Sequence, residues 1–198
     1  MKNILYSIIF IITTIPCYSN YEIGVKGSFH FKRLYYGKEY QFHTLKSTFH
    51  GGLDAGIFTK FFTDRKFYFQ PEILYSYQFN PKQTQKLNIV LLSDYISLPL
   101  LVGYKKETKN DNYYRFFAGF DFHFMLDNAM AYCCNGSLII FDDIVSINNV
   151  LGIGLDIKRL SLDLNIGFNL IESMNSSYQR LFIKMNWGWK LFQNNNNK

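Results

Sequence analysis

Residues 160–170 read LSLDLNIGFNL. Leu160, Leu162, Leu164, Ile166, Phe168 and Leu170 fall on one side of an extended chain, and Ser161, Asp163, Asn165, Gly167 and Asn169 on the other. Strict period-two alternation over this length specifies a β-strand with one apolar and one polar face. It leaves open which face points inward. In a water-soluble sandwich or barrel the apolar face is the core. In a membrane barrel that face meets lipid, and the polar face lines the lumen. What the protein does turns on this choice.

The composition favours lipid. Aromatic residues make up 19% of the chain, with 20 Phe and 15 Tyr, whereas charged residues make up 18% against about 25% in ordinary soluble domains. Many aromatics, few charges and no long helical period point to β-structure that meets something other than water. No stretch after Asn20 approaches the apolar run of a transmembrane helix, so a membrane span here has to be a barrel.

The first residues, MKNILYSIIFIITTIPCYSN, read as a secretory signal over 1–19. Lys2 supplies the positive start, Ile4 to Ile15 the apolar run and Pro16 its break, with cleavage expected before Asn20. Cys17 is a poor lipid acceptor, because TIP before it lacks the small residue such processing needs. Removal of Lys2 with the signal lowers the formal charge from +6 to +5. The cations are scattered, so nucleic-acid binding has no support. Cys133 and Cys134 are adjacent and cannot staple distant strands, which leaves a vicinal disulfide or two free thiols. One domain over 20–192 and a polar tail, QNNNNK, over 193–198 complete the organisation.

Seven other stretches alternate as 160–170 does, at 21–31, 48–62, 67–79, 95–104, 113–126, 150–157 and 181–192. In the second, Phe49, Leu53, Ala55, Ile57 and Phe61 oppose His50, Gly52, Asp54, Gly56 and Lys60. Eight strands are the fewest that close a membrane barrel. Short connections (TDR, KKETKND, KR) alternate with long ones (near 32–47, 80–93 and 128–148), the rhythm of an up-and-down outer-membrane barrel. The fold class is therefore all-β, an eight-stranded antiparallel transmembrane barrel. Pro71 and Pro99 interrupt two of these strands, and each is expected at a bulge or a break in pairing, since proline lacks a ladder donor.

The polar faces are mostly Gly, Ser, Asn and Asp with sparse charges of both signs. That composition suits a narrow lumen, where each ion needs a partner. Glu22, Lys26, Lys60 and Lys190 project to this side, as do Asp54, Glu72, Arg115, Asp121, Asp156, Asp163 and Lys184. The last seven are the candidate site, a lumen polar network that plugs the barrel rather than a conducting column. Arg115 is expected to pair with Glu72 or Asp121.

Sequence chemistry beyond this is sparse. No hydrolase, nucleotide-binding or zinc motif appears, and no catalytic, metal or cofactor residue is assigned. His30, His43, His50 and His123 are spread without metal-ligand spacing. A lipid-modifying barrel enzyme would draw on His50 or His123 with Ser28 or Ser76. The stretch AYCCNGSLIIFDD (131–143) reads either as strand extended beyond the membrane or as a contact surface.

At QPEILYSYQF (70–79), YISLPLLVGYKK (95–106) and RFFAGFDF (115–122) the chain resembles the outer-membrane β-barrel family of Bacteroidetes type, the PorT-like group. The resemblance implies an eight-stranded outer-membrane barrel without shared catalytic residues, and a place in a secretion complex. The tail departs from it, because many such barrels end on an aromatic residue. The expectation is a bacterial outer-membrane protein that acts as a non-enzymatic surface anchor, binding or envelope-structural protein. Its partners would be outer-membrane lipid and a protein met through the external loops. The rival readings are a lipid-modifying enzyme, a soluble lipocalin-like ligand binder and a narrow porin.

Overall fold

Period-two alternation becomes ten strands in the computed structural model, which describes residues 20–35, 48–63, 66–79, 93–108, 112–126, 129–132, 138–141, 145–172 and 179–195. They are β1 (Asn20–Tyr35), β2 (Thr48–Phe62), β3 (Phe67–Phe79), β4 (Ser93–Glu107), β5 (Asn112–Met125), β6 (Ala129–Tyr132), β7 (Leu138–Phe141), β8 (Val145–Ile157), β9 (Leu160–Glu172) and β10 (Gln179–Asn195). Eight of them close a barrel in the order β1-β10-β9-β8-β5-β4-β3-β2. Every neighbouring pair is antiparallel, and β1 meets β10 to seal the seam. The remaining two, β6 and β7, form a separate two-stranded ribbon between β5 and β8. The barrel strands, 13 to 17 residues long, exceed the roughly 9–11 that a membrane crossing needs.

β1 starts and β10 ends where β2 joins β3, β4 joins β5 and β8 joins β9. This turn end is opposite the loop end, where the longer connections lie.

The side chains decide the orientation. Along β9, Leu162, Leu164, Ile166, Phe168 and Leu170 are exposed, while Ser161, Asp163 and Asn165 are buried. On β10 Met185 and Trp187 are 57% and 50% exposed, whereas Arg115 on β5 and Lys60 on β2 are 1% and 0% exposed. A soluble barrel shows the reverse distribution. The apolar face of 160–170 is the outer wall of a transmembrane barrel, and a soluble lipocalin-like arrangement is overturned.

Several expectations need correction. Phe61, placed on the outer wall by parity, is only 4% exposed. The inner face is also less uniformly polar than the alternation suggests. Phe62, Tyr68, Leu101, Phe117, Val150 and Phe182 form a buried apolar cluster, and the positions they occupy point inward. Glycines on neighbouring strands admit three of them, Tyr68, Phe117 and Phe182. A Cβ on Gly152 would collide with the Phe117 ring, and one on Gly167 with the Phe182 ring, so each large ring lies over a strand that offers no side chain of its own.

Boundaries shift as well. β8 begins at Val145 rather than near 150, because the alternation is hidden by a register shift between Ile147 and Asn148 against β9. There Asn149 turns its amide oxygen to accept the Phe168 backbone N–H at 3.1 Å. β10 continues to Asn195, through half of the stretch read as tail. The segment read as loop near 128–148 holds the β6–β7 ribbon, with Met130 opposite Ile140, while Cys133 and Cys134 lie outside the described residues. Pro71 and Pro99 each sit where a ladder is interrupted without a change of register: β2–β3 pairing skips from Phe58–Glu72 to Phe61–Phe69, and β3–β4 pairing from Pro71–Leu100 to Leu74–Ser97.

Candidate functional site

The barrel interior gathers buried ions from every barrel strand except β4. The cations Lys26, Lys32, Lys60, Arg115, Lys184 and Lys190 and the anions Glu22, Asp54, Glu72, Asp121, Asp156 and Asp163 are all buried. They balance in number, as a narrow interior of low dielectric requires. Their positions follow from the pleat, since alternate residues of each strand project inward. They divide into two networks.

The first lies toward the turn end and centres on Arg115. Its Nε faces Asp156 Oδ1 at 2.9 Å, and its Nη2 donates to Asp163 Oδ1 at 2.5 Å and to Ser161 Oγ at 2.6 Å. Asp156 Oδ2 also lies 3.2 Å from both Lys60 and Lys190. Lys190 reaches Glu22 at 3.3 Å, and Lys60 reaches the same carboxylate at 3.7 Å. From Asp163 the network continues to Lys26 at 3.5 Å, and Lys26 meets Glu72 at 2.5 Å. Gln70 donates to Glu72 from two residues away on β3.

The second lies nearer the loop end and centres on Asp54. Lys184 Nζ stands 2.7 Å from Asp54 Oδ2 and His30 Nδ1 3.2 Å from Oδ1. Ser28 and Ser76 both donate to Asp54. Beyond it, Lys32 donates to the Tyr95 hydroxyl at 2.5 Å, and the Tyr95 ring stacks on His123 at 4.6 Å. His123 Nε2 lies 2.9 Å from Asp121 Oδ2, with Ser97 donating to the other Asp121 oxygen at 2.5 Å.

Of the seven candidate residues, Glu72, Arg115, Asp156 and Asp163 stand in the first network, and Asp54, Asp121 and Lys184 in the second. The expected partners of Arg115 are corrected: Glu72 belongs to Lys26 and Asp121 to His123, while Asp156 and Asp163 hold the guanidinium. Spacing within one strand could not reveal this, because the partners come from β8 and β9. Lys32 lies past the alternating stretch 21–31, which stops four residues short of the end of β1. The inward parity of Glu22 and Lys26 continues to it.

At the turn end the interior is closed by rings as well as ions. Lys105 Nζ sits 3.9 Å from the Phe62 ring centroid and 4.7 Å from that of Tyr113, a cation held between two aromatic faces.

Chemically this interior is built to neutralise itself. The serines that a hydrolytic site would need, Ser28 and Ser76, donate to a carboxylate rather than to a histidine. Among the described residues no three His, Cys, Asp or Glu side chains gather closely enough to hold a metal ion. His43 lies outside the described residues, as does the side chain of His50.

A family model described as "Outer membrane protein beta-barrel domain" matches residues 16–190. Among solved structures, Neisserial surface protein A (NspA) is similar with a TM-score of 0.52 at 13% identity, over 85% of this chain and 97% of its own. Ail, the attachment invasion locus protein of Yersinia pestis, is similar with a TM-score of 0.51 at 8% identity, over 86% of this chain and 98% of its own. At such identities the likeness is one of fold. No curated protein matches the chain in sequence.

Proposed function

Because the chain belongs to the outer membrane protein β-barrel domain family, we propose that it works as a non-enzymatic surface protein, a membrane anchor with a filled lumen whose external loops bind a partner. The observation that carries this reading is the interior itself. Twelve buried, charge-balanced side chains and a cluster of six apolar ones occupy the space a pore or substrate channel would need, and an eight-stranded barrel has little more than that to give. What is left for function is the loop end, where the β6–β7 ribbon extends the β5–β8 connection. Export through cleavage before Asn20 belongs to the same reading. So does a partner in a secretion complex, which the PorT-like motifs at 70–79 and 95–106 favour.

The test has three arms on the full-length protein. Planar-bilayer recordings should show no stable unitary conductance, and a steady ion current would replace the anchor with a narrow porin. Lipid A and phospholipid acylation, compared by mass spectrometry with and without the gene, should be unchanged. A change abolished by His123→Ala would make the protein a lipid-modifying enzyme. Photocrosslinkers placed within 128–148 should capture one defined partner on intact cells.

A further inference from the structure

The outer wall is not evenly filled. Near the turn end a groove of about 890 Å³ crosses β3, β4, β5, β8 and β9, within the roughly 300–1,000 Å³ of small-molecule sites. Its floor is Ala118, a small residue paired with Val102 on one side and Leu151 on the other. Phe67, Phe116 and Ile166 stand around it. The lining is almost wholly apolar, and it opens toward the turn end at Thr63 and Tyr104.

The exposed charge described at that opening is mainly positive. Lys106 is the next outward position on β4 after Tyr104, and Lys66 adjoins Phe67; both are exposed. The backbone N–H of Lys105 donates to the Lys66 carbonyl at 2.7 Å, which ties the two connections together. Lys158 and Arg159 add two more exposed cations at the same end, against Glu107. Val102, Tyr104 and Lys106 therefore follow one another along the outer face of β4 as acyl chain, interface and headgroup do in a leaflet.

We propose that this groove holds an anionic phospholipid of the leaflet at the turn end, with an acyl chain over Ala118 and the phosphate between Lys66 and Lys106. A second copy of the chain fits less well. A two-fold axis along the membrane normal would bring the same lysines of both copies together, where they repel. The inference rests on the barrel-in-lipid reading and adds to it a defined lipid.

Native mass spectrometry of the full-length protein released from detergent micelles tests it. Phosphatidylglycerol and phosphatidylethanolamine of identical acyl chains are supplied separately. Wild type should keep phosphatidylglycerol adducts after phosphatidylethanolamine has been stripped. Lys66→Gln and Lys106→Gln should each weaken phosphatidylglycerol retention about five-fold and leave phosphatidylethanolamine unchanged. Ala118→Phe should lower retention of both lipids, whereas Ala55→Phe, outward on β2, should lower neither. Equal retention of the two lipids by wild type, equal loss with Ala55→Phe, or a stable dimer would overturn the site. Heat-modifiable gel mobility reports the barrel separately. With it intact and no lipid preference, the lipid site fails and the anchor stands. If Ala118→Phe abolishes it, the two rim variants decide.

Discussion

Arg115 divides its guanidinium between carboxylates of two other strands, Asp156 on β8 and Asp163 on β9. Arg115→Met would leave Asp156 with Lys60 and Lys190, but Asp163 with only Lys26 at 3.5 Å. Removing one partner of a buried pair costs about 3–5 kcal/mol, and urea unfolding of the reconstituted barrel should show a loss of that size. The double variant Arg115→Met, Asp163→Leu should lose clearly less than the two single losses added together, since the stranded charge is gone. Gly152 tests the ring-over-glycine contact in the same way. Gly152→Val should destabilise by about 1–3 kcal/mol through overpacking, and adding Phe117→Leu should recover much of it by drawing back the ring that the new Cβ meets.

At the level of the strand, β9 was legible in the sequence because nothing interrupts its alternation. β8 was legible only from 150 onward, because Asn149 breaks the pattern on the outer face to serve the bulge at Ile147–Asn148. The inward Phe117 and Phe182 were illegible for another reason. A ring is admitted to the lumen by a glycine on a neighbouring strand, and which strands are neighbours is a property of the closed barrel. The ions were legible as a set by parity, whereas their pairing across strands was not. Two predictions belong here. Ile166→Arg, mid-strand on the outer face of β9, should cost about 2–4 kcal/mol of folding into liposomes. Lys158, in the two-residue β8–β9 turn, has a φ of 51°, a left-handed conformation that costs an L-residue about 1–2 kcal/mol. Lys158→Gly should therefore raise stability by about 1 kcal/mol, read as a higher urea midpoint with an unchanged slope.

As a whole molecule, the barrel turns the usual arrangement of a protein inside out, with exposed Leu, Ile and Trp around buried Lys, Arg and Asp. Heat-modifiable gel mobility and recovery in the membrane fraction are the expected behaviour, and recovery in the soluble periplasm would contradict the outer wall described above. The ion networks also bear on how such a chain can come to be in a membrane at all. Lys190 meets Glu22 across 168 positions of sequence, and Lys60 meets Asp156 across 96. None of these partners is present while the sheet is still open at β1 and β10. A half-made sheet would carry ammonium and carboxylate groups into hydrocarbon, where each unpaired charge is costly. The chain therefore cannot enter hairpin by hairpin. Its first and last strands have to meet before these pairs can form, so closure of the β1–β10 seam is expected late in assembly.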